Sequence, residues 1–206
     1  MTPPQTVDRS IRDKTVDRSA ARVLDSPNKL KLGLFGPNLQ GGVGGVTLAD
    51  GTITAGNWDE IKSIAVAADD ATFEVLVPIA RWKGIGGESR FWDRTMDTLI
   101  WGAGVAEATK NIQIFTTCHV QLFHPLMAAR MGATIDHIAN GRWGLNVVAG
   151  WIPQEFQMFG MPFDEHGARY KLADEWMRVV DRLWSESEPF TFEGDYYKLY
   201  DAVTEP

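Results

Sequence analysis

One cysteine, Cys118, stands in a chain of 206 residues. No intrachain disulfide framework can form, which suits a reducing compartment and makes the cytoplasm the default location. Positive charge is also short. Lys and Arg number 20 against 27 Asp and Glu, a formal net charge of −7, so no basic stripe exists to displace counterions from a nucleic acid. No apolar run approaches the roughly 18–20 residues that cross a bilayer. The polar opening, Met1 to Pro27, lacks the apolar centre of a signal peptide. The four histidines, at 119, 124, 137 and 166, show no metal-ligand spacing, so no metal site is expected. A nucleophile elbow, a P-loop and a hydrolase pair of carboxylates are missing too. What is present is core-forming material, 44% hydrophobic residues with 11% aromatics. That is enough for one domain, or two at most.

Residues 1–29 read as a flexible amino-terminal arm, with Thr-Val-Asp-Arg-Ser occurring at 6–10 and again at 15–19; the duplication is too short for a repeat architecture. From Leu30 onward two periods alternate. Strands are expected at Leu30–Phe35, Phe73–Val77, Asn111–Thr117 and Arg142–Ala149. Helices are expected at Trp58–Ala68, at Asp93–Glu107 with Asp93 as N-cap, at Pro125–Ile138 and at Glu165–Trp184. Asn140-Gly141 supplies a helix stop. Phe190–Leu199, centred on Gly194-Asp195, reads as a β-hairpin. Four βα units of this kind predict a parallel sheet. A closed (β/α)8 TIM barrel takes about 250 residues, so residues 30–206 are expected to form about the amino-terminal half of one, as in a truncated or partial product.

In such a barrel, ligands gather in the loops that follow the strands. Four segments are thereby singled out: Gly36–Gly56, Pro78–Trp92, Thr116–His124 and Ala149–Gly167. The second carries Ala80-Arg81-Trp82-Lys83-Gly84 and Gly86-Gly87, which fits either a cofactor-facing loop or an ordinary glycine turn with solvated Arg81 and Lys83. Asn146, inside the apolar strand Arg142–Ala149, must find hydrogen-bond partners or cost roughly 1–3 kcal/mol. A heteroaromatic ligand or a neighbouring backbone would serve equally. Trp151 fits a ligand wall or loop packing. Arg169 and Tyr170, near a helix amino terminus, suit an electron-rich ligand but also suit a surface arginine beside a core tyrosine. Cys118 reads as a small buried hydrophobe rather than a nucleophile.

The ordered set Arg81-Trp82-Lys83-Gly84, Gly86-Gly87, Phe91-Trp92-Asp93, His124-Pro125-Leu126, Ala133 to Ile138, Gly141 to Val148, Gly150-Trp151, Glu155-Phe156 and Ala168-Arg169-Tyr170 resembles the bacterial-luciferase-like flavin monooxygenases. Within that family the pattern is most similar to the dimethylsulfone, alkanesulfonate and pyrimidine monooxygenases. The resemblance runs from about Lys29 to the end. It implies a luciferase-like barrel and an enzyme that uses reduced FMN and O2 through a C4a-(hydro)peroxyflavin. A separate NAD(P)H-dependent flavin reductase would supply the reduced FMN. The resemblance places Ala80, Arg81, Thr116, Thr117, Asn146, Glu155, Arg169 and Tyr170 around the flavin, and His124 on the substrate side. It also implies a small sulfone, sulfonate or other heteroatom compound as substrate, sulfur metabolism as the setting, and a homodimer or higher homo-oligomer. The family's phosphate-gripping later strands have no counterpart here. Two further expectations stand beside this one: an F420-dependent oxidoreductase on the same barrel, and a truncated, non-catalytic flavin-binding subunit.

Overall fold

The computed structural model describes residues 23, 26–41, 54–88 and 90–206. Strands β1 (Gly33–Phe35), β2 (Val75–Val77), β3 (Gln113–His119) and β4 (Trp143–Val148) form one parallel sheet in that order. Helices α1 (Trp58–Asp70), α2 (Thr98–Ala108) and α3 (Pro125–Ile138) make the crossovers between successive strands. After β4 come the short α4 (Pro153–Met158) and the long α5 (His166–Ser185). An antiparallel pair, β5 (Phe190–Glu193) and β6 (Lys198–Ala202), follows. The βα alternation expected from the periodicity is therefore present, four units long. The arm expected over residues 1–29 lies largely outside the described residues, as does the centre of the Gly36–Gly56 loop. At the described end of the arm, Ser26 and Asn28 both donate to the Glu74 carboxylate.

Helix starts follow local chemistry. The Asn57 side chain accepts from Glu60 N at the head of α1, and Pro125 opens α3 where its missing N–H costs nothing. Asp93 does not cap α2. Asp97 does, accepting from the Leu99 and Ile100 amides. The intervening residues are held by other partners: Asp93 pairs with Arg90 at 3.0 Å, and the Met96 amide donates to Asn38 O at 3.1 Å. An acidic residue marks a helix start only where the backbone behind it is free to turn, and residues 93–96 are tied across to residues 38–40.

Strand alternation decides which side chains face the helices and which face the interior of the arc. On β3, Ile114 and Cys118 lie in the two hydrophobic cores that the helices cover. Thr116 packs so closely on α2 that a Cβ on Gly102 would strike its methyl. The odd residues Phe115, Thr117 and His119 therefore face inward. On β4, the Trp143 ring fills the space a side chain at Gly132 of α3 would need, while Leu145 and Val147 join the helix-side core. Gly144 faces inward, where a Cβ would meet Phe115 Cε1 at 2.5 Å. The parallel register sets Thr117 beside Asn146 and His119 beside Val148.

Three buried ionic side chains clasp loops to this frame. Asp69 accepts the Lys110, Asn111 and Ile112 amides at 2.7, 3.1 and 2.8 Å, fixing the entry into β3. Arg142 spreads its guanidinium over Ala106 O, Thr109 O, Thr109 Oγ1 and Ile112 O. Glu175 of α5 accepts the Asp195, Tyr196 and Tyr197 amides at 2.9, 2.8 and 2.7 Å, pinning the β5–β6 turn to the helix. Burial alone would raise the Glu175 carboxyl, but the three amides with Arg178 outweigh it and hold it below its ordinary 4.5. A carboxylate depressed in the folded state contributes stability above its unfolded pKa, and loses it as pH falls through the folded one. The wild type should therefore weaken as pH drops below about 4.5, and Glu175→Gln should flatten that part of the profile. Urea midpoints from pH 3 to pH 7 measure it, and parallel profiles for the two proteins would refute it.

Candidate functional site

The inward face of the sheet opens at the carboxyl ends of the strands, and the polar residues converge there. At the lower level, Thr117 Oγ1 donates to Pro78 O after β2. It also accepts from Asn146 Nδ2 at 3.0 Å. Neighbouring strands in register make this link, and it orients the Asn146 amide from one side.

One level higher lies Arg81, 8% exposed. Its guanidinium carbon sits 4.8 Å from the Trp92 ring centroid and 4.7 Å from that of Trp151. Its Nη1 stands 3.8 Å from Glu155 Oε1 and donates to Ala80 O at 3.1 Å. Burial pulls the Arg81 guanidinium below its ordinary value, and Glu155 opposes that pull. Glu155, 1% exposed, sits on α4, and its Oε1 accepts the Trp82 amide at 2.8 Å. The Ala149–Gly167 segment, expected as a loop, thus contains a helix whose task is to carry this carboxylate. Gly150, at φ 75°, makes the turn into it; a Cβ there would press on the Phe156 ring at 2.6 Å.

Arg169, in the first turn of α5, is buried against the Phe163 ring, 4.2 Å from its centroid, and donates to Asp164 O. Tyr170 is 58% exposed and stacks beside His166 at 4.5 Å. Against β2 and the approach to α2 lies a cavity of about 450 Å³, whose lining includes Ala80, Arg81, Trp82, Asp97, Thr117 and Phe123.

The structure thus groups Ala80, Arg81, Thr117, Asn146 and Glu155, with Arg169 on the next helix. Thr116 does not join them. Its hydroxyl accepts from Trp143 Nε1 at 2.9 Å on the helix side of the sheet, which the strand parity dictates. His124 caps α3 by accepting from Leu126 N at 3.3 Å and lies edge-on to Tyr197, 5.7 Å between centroids. Its contacts are structural. Cys118 is buried, its thiol pushed up to about 12 by burial and by the charge of Asp97, which leaves no thiolate for nucleophilic work. Sequence reasoning missed His119. It is 3% exposed, follows Thr117 on the inward face, and is held down to about 4 by burial and by the charge of Arg81. Strand parity finds it only once Thr117, and not Thr116, is known to face inward. Among the described residues no group of three or more His, Cys, Asp or Glu could hold a metal ion. No helix there is long and apolar enough to cross a membrane.

Four parallel βα units with a polar cluster at the strand ends define an α/β protein of the TIM-barrel class, built as an arc of four strands. Residues 37–206 match the family described as luciferase-like monooxygenase, and the chain belongs to that family. The pyrimidine monooxygenase RutA of Acinetobacter baylyi is 35% identical over 147 residues, covering 70% of this chain and 40% of that protein. The chain therefore spans well under two thirds of the curated relatives it matches. Riboflavin lyase RcaE, solved with a modified FMN and riboflavin, superposes with a TM-score of 0.75 at 24% identity over 86% of this chain and 47% of its own. An F420-dependent secondary alcohol dehydrogenase superposes at 0.68 with 22% identity, over 85% of this chain and 48% of its own. Both likenesses concern the fold.

Proposed function

We propose that this chain forms the ring-side part of the flavin site of a two-component monooxygenase, which takes reduced FMN from a separate NAD(P)H-dependent reductase and oxidises a small heteroatom compound with O2. The observation that carries the reading is a pair of buried polar atoms at the mouth with no partner among the described residues, Arg81 Nε and Glu155 Oε2, with Arg169 Nε similarly unpaired on the next helix. Such atoms cost roughly 1–3 kcal/mol each unless a ligand satisfies them. A flat ring system with both donors and acceptors on its rim fits that arrangement, and the Asn146 amide adds a further donor.

The bound flavin would supply activation of O2. The chain's own residues bind, orient and shield. Asn146, steadied by Thr117, would fix the ring's polar rim. Arg81, braced by Glu155 and two indoles, would offer a charge that cannot swing away. Arg169 would close the far side. Trp82, Trp151 and Phe163 would keep water from the reacting centre. Of the substrate classes, a cyclic nitrogen compound such as a pyrimidine is favoured over a sulfone or sulfonate by the 35% identity to pyrimidine monooxygenases.

Anaerobic titration with reduced FMN, followed by O2 with uracil or dimethylsulfone present, tests the reading. Saturable binding and O2-dependent product formation are expected. A folded protein that ignores reduced FMN but binds reduced F420 would replace it with the hydride-transfer alternative.

A further inference from the structure

Beyond Thr117, the inward side of β3 ends at His119, and Gln121 follows in the turn after the strand; neither residue has been given a task by the contacts described so far. His119 faces inward after Thr117, is 3% exposed and stands within range of the Arg81 charge. Gln121 Oε1 is likewise buried and lacks a donor, and it sits where a Cβ on Gly150 would come within 3.5 Å of it. His119 lies one step further out than the Thr117–Asn146 link. A histidine at the inward-facing end of a strand, nearly covered by protein, is placed to meet whatever enters the mouth. An inward histidine at the end of β3 and an unpartnered Gln121 Oε1 in the turn after it, in a mouth that already leaves Arg81 Nε and Glu155 Oε2 open, point to something polar that lies against the end of β3.

We propose that His119 and Gln121 form a ligand-contacting edge of the site, with the His119 imidazole hydrogen-bonded to the polar rim of bound FMN. This rests on the flavin reading above and assigns it two residues. The imidazole offers one N–H donor and one nitrogen acceptor, so it can meet either a ring carbonyl or a ring N–H. Burial and the neighbouring guanidinium keep it uncharged at neutral pH. His119 thereby contributes direction without adding charge beside Arg81. Gln121 above it can donate or accept through either end of its amide.

The test combines spectroscopy with binding. In the full chain with ring-labelled histidine, the His119 resonance is assigned by its loss in His119→Gln. FMN, oxidised and reduced, is then added while flavin fluorescence follows binding. The His119 signal is expected to shift on saturation while that of His137 does not, and to stay untitrated from pH 5.5 to pH 8. His119→Phe should weaken FMN roughly tenfold or more, the loss of about one well-made hydrogen bond in a buried site. His119→Gln should recover part of that affinity, with melting temperatures reported for both variants. If His119→Phe fails to fold, the wild-type shift and His119→Gln decide the matter. FMN binding with an unmoved His119 signal overturns this inference and leaves the flavin reading standing. No FMN binding by the folded wild type overturns both.

Discussion

Arg142→Ala is expected to destabilise the fold by roughly 3–5 kcal/mol, the largest loss expected of a single substitution outside the mouth. The guanidinium donates to three carbonyls, Ala106 O at 2.8 Å, Thr109 O at 3.0 Å and Ile112 O at 2.8 Å, and to Thr109 Oγ1 at 3.1 Å. Arg142 is 4% exposed, so alanine leaves those acceptors in a space that water enters poorly. Each orphaned buried acceptor costs about 1–3 kcal/mol. Partial relaxation and water entry bring the sum down to the stated range. Arg142→Lys, with its compact ammonium, can serve one or two carbonyls and should recover only part of the loss. Urea unfolding gives the comparison directly. A shift below about 1 kcal/mol for alanine would mean that water takes over the guanidinium's role, and that the α2–β3 loop does not depend on it.

The second large effect belongs to Asn146. Removing its amide by Asn146→Ala should weaken reduced FMN by ten- to a hundredfold, the equivalent of about 1.4–2.8 kcal/mol for a buried hydrogen bond to a polar ligand. Stability should change less than for Arg142, because Asn146 is only half-buried and its protein partner is a single hydroxyl. Thr117→Val is the informative companion. It removes the hydroxyl that steadies the amide while leaving the amide in place, so its effect on binding should fall between wild type and Asn146→Ala. Isothermal titration under anaerobic conditions measures all three. Equal affinity across the series would remove Asn146 from the flavin site.

Much of this was readable from residue order. The βα alternation, the Pro125 start of α3 and the amphipathic α5 all follow from local rules, because each depends on neighbours within a turn or two. The errors came from contacts between distant segments. Asp93 looks like a helix cap, but residues 93–96 are tied to the segment after β1, and Asp97 takes the role. The short α4 reads as loop because its six residues are too few to show a period. Its meaning emerges only when Glu155 reaches Arg81 and the Trp82 amide. At the site, the apolar–polar pattern of Thr116-Thr117-Cys118-His119 does not say which hydroxyl faces inward. Packing against Gly102 and Trp143 settles it, moving Thr116 to the helix side and bringing His119 in. Tyr170 and His124 match family-like positions in sequence; here Tyr170 lies exposed beside the His166 ring, and His124 caps α3.

The alternation along β3 divides the strand's labour between two audiences. Ile114, Thr116 and Cys118 answer to the helices, and a change there is judged by whether the protein accumulates in the cell. Thr117 and His119 face the mouth, and under the flavin reading they answer to whatever occupies it. Under that reading, substitutions there bear first on which molecule is accepted, although Thr117 also ties β3 to the end of β2 through Pro78 O. Selection can therefore act on preference and on persistence through largely different positions within seven consecutive residues. A lineage can retune its chemistry by single steps without first accumulating compensating changes elsewhere.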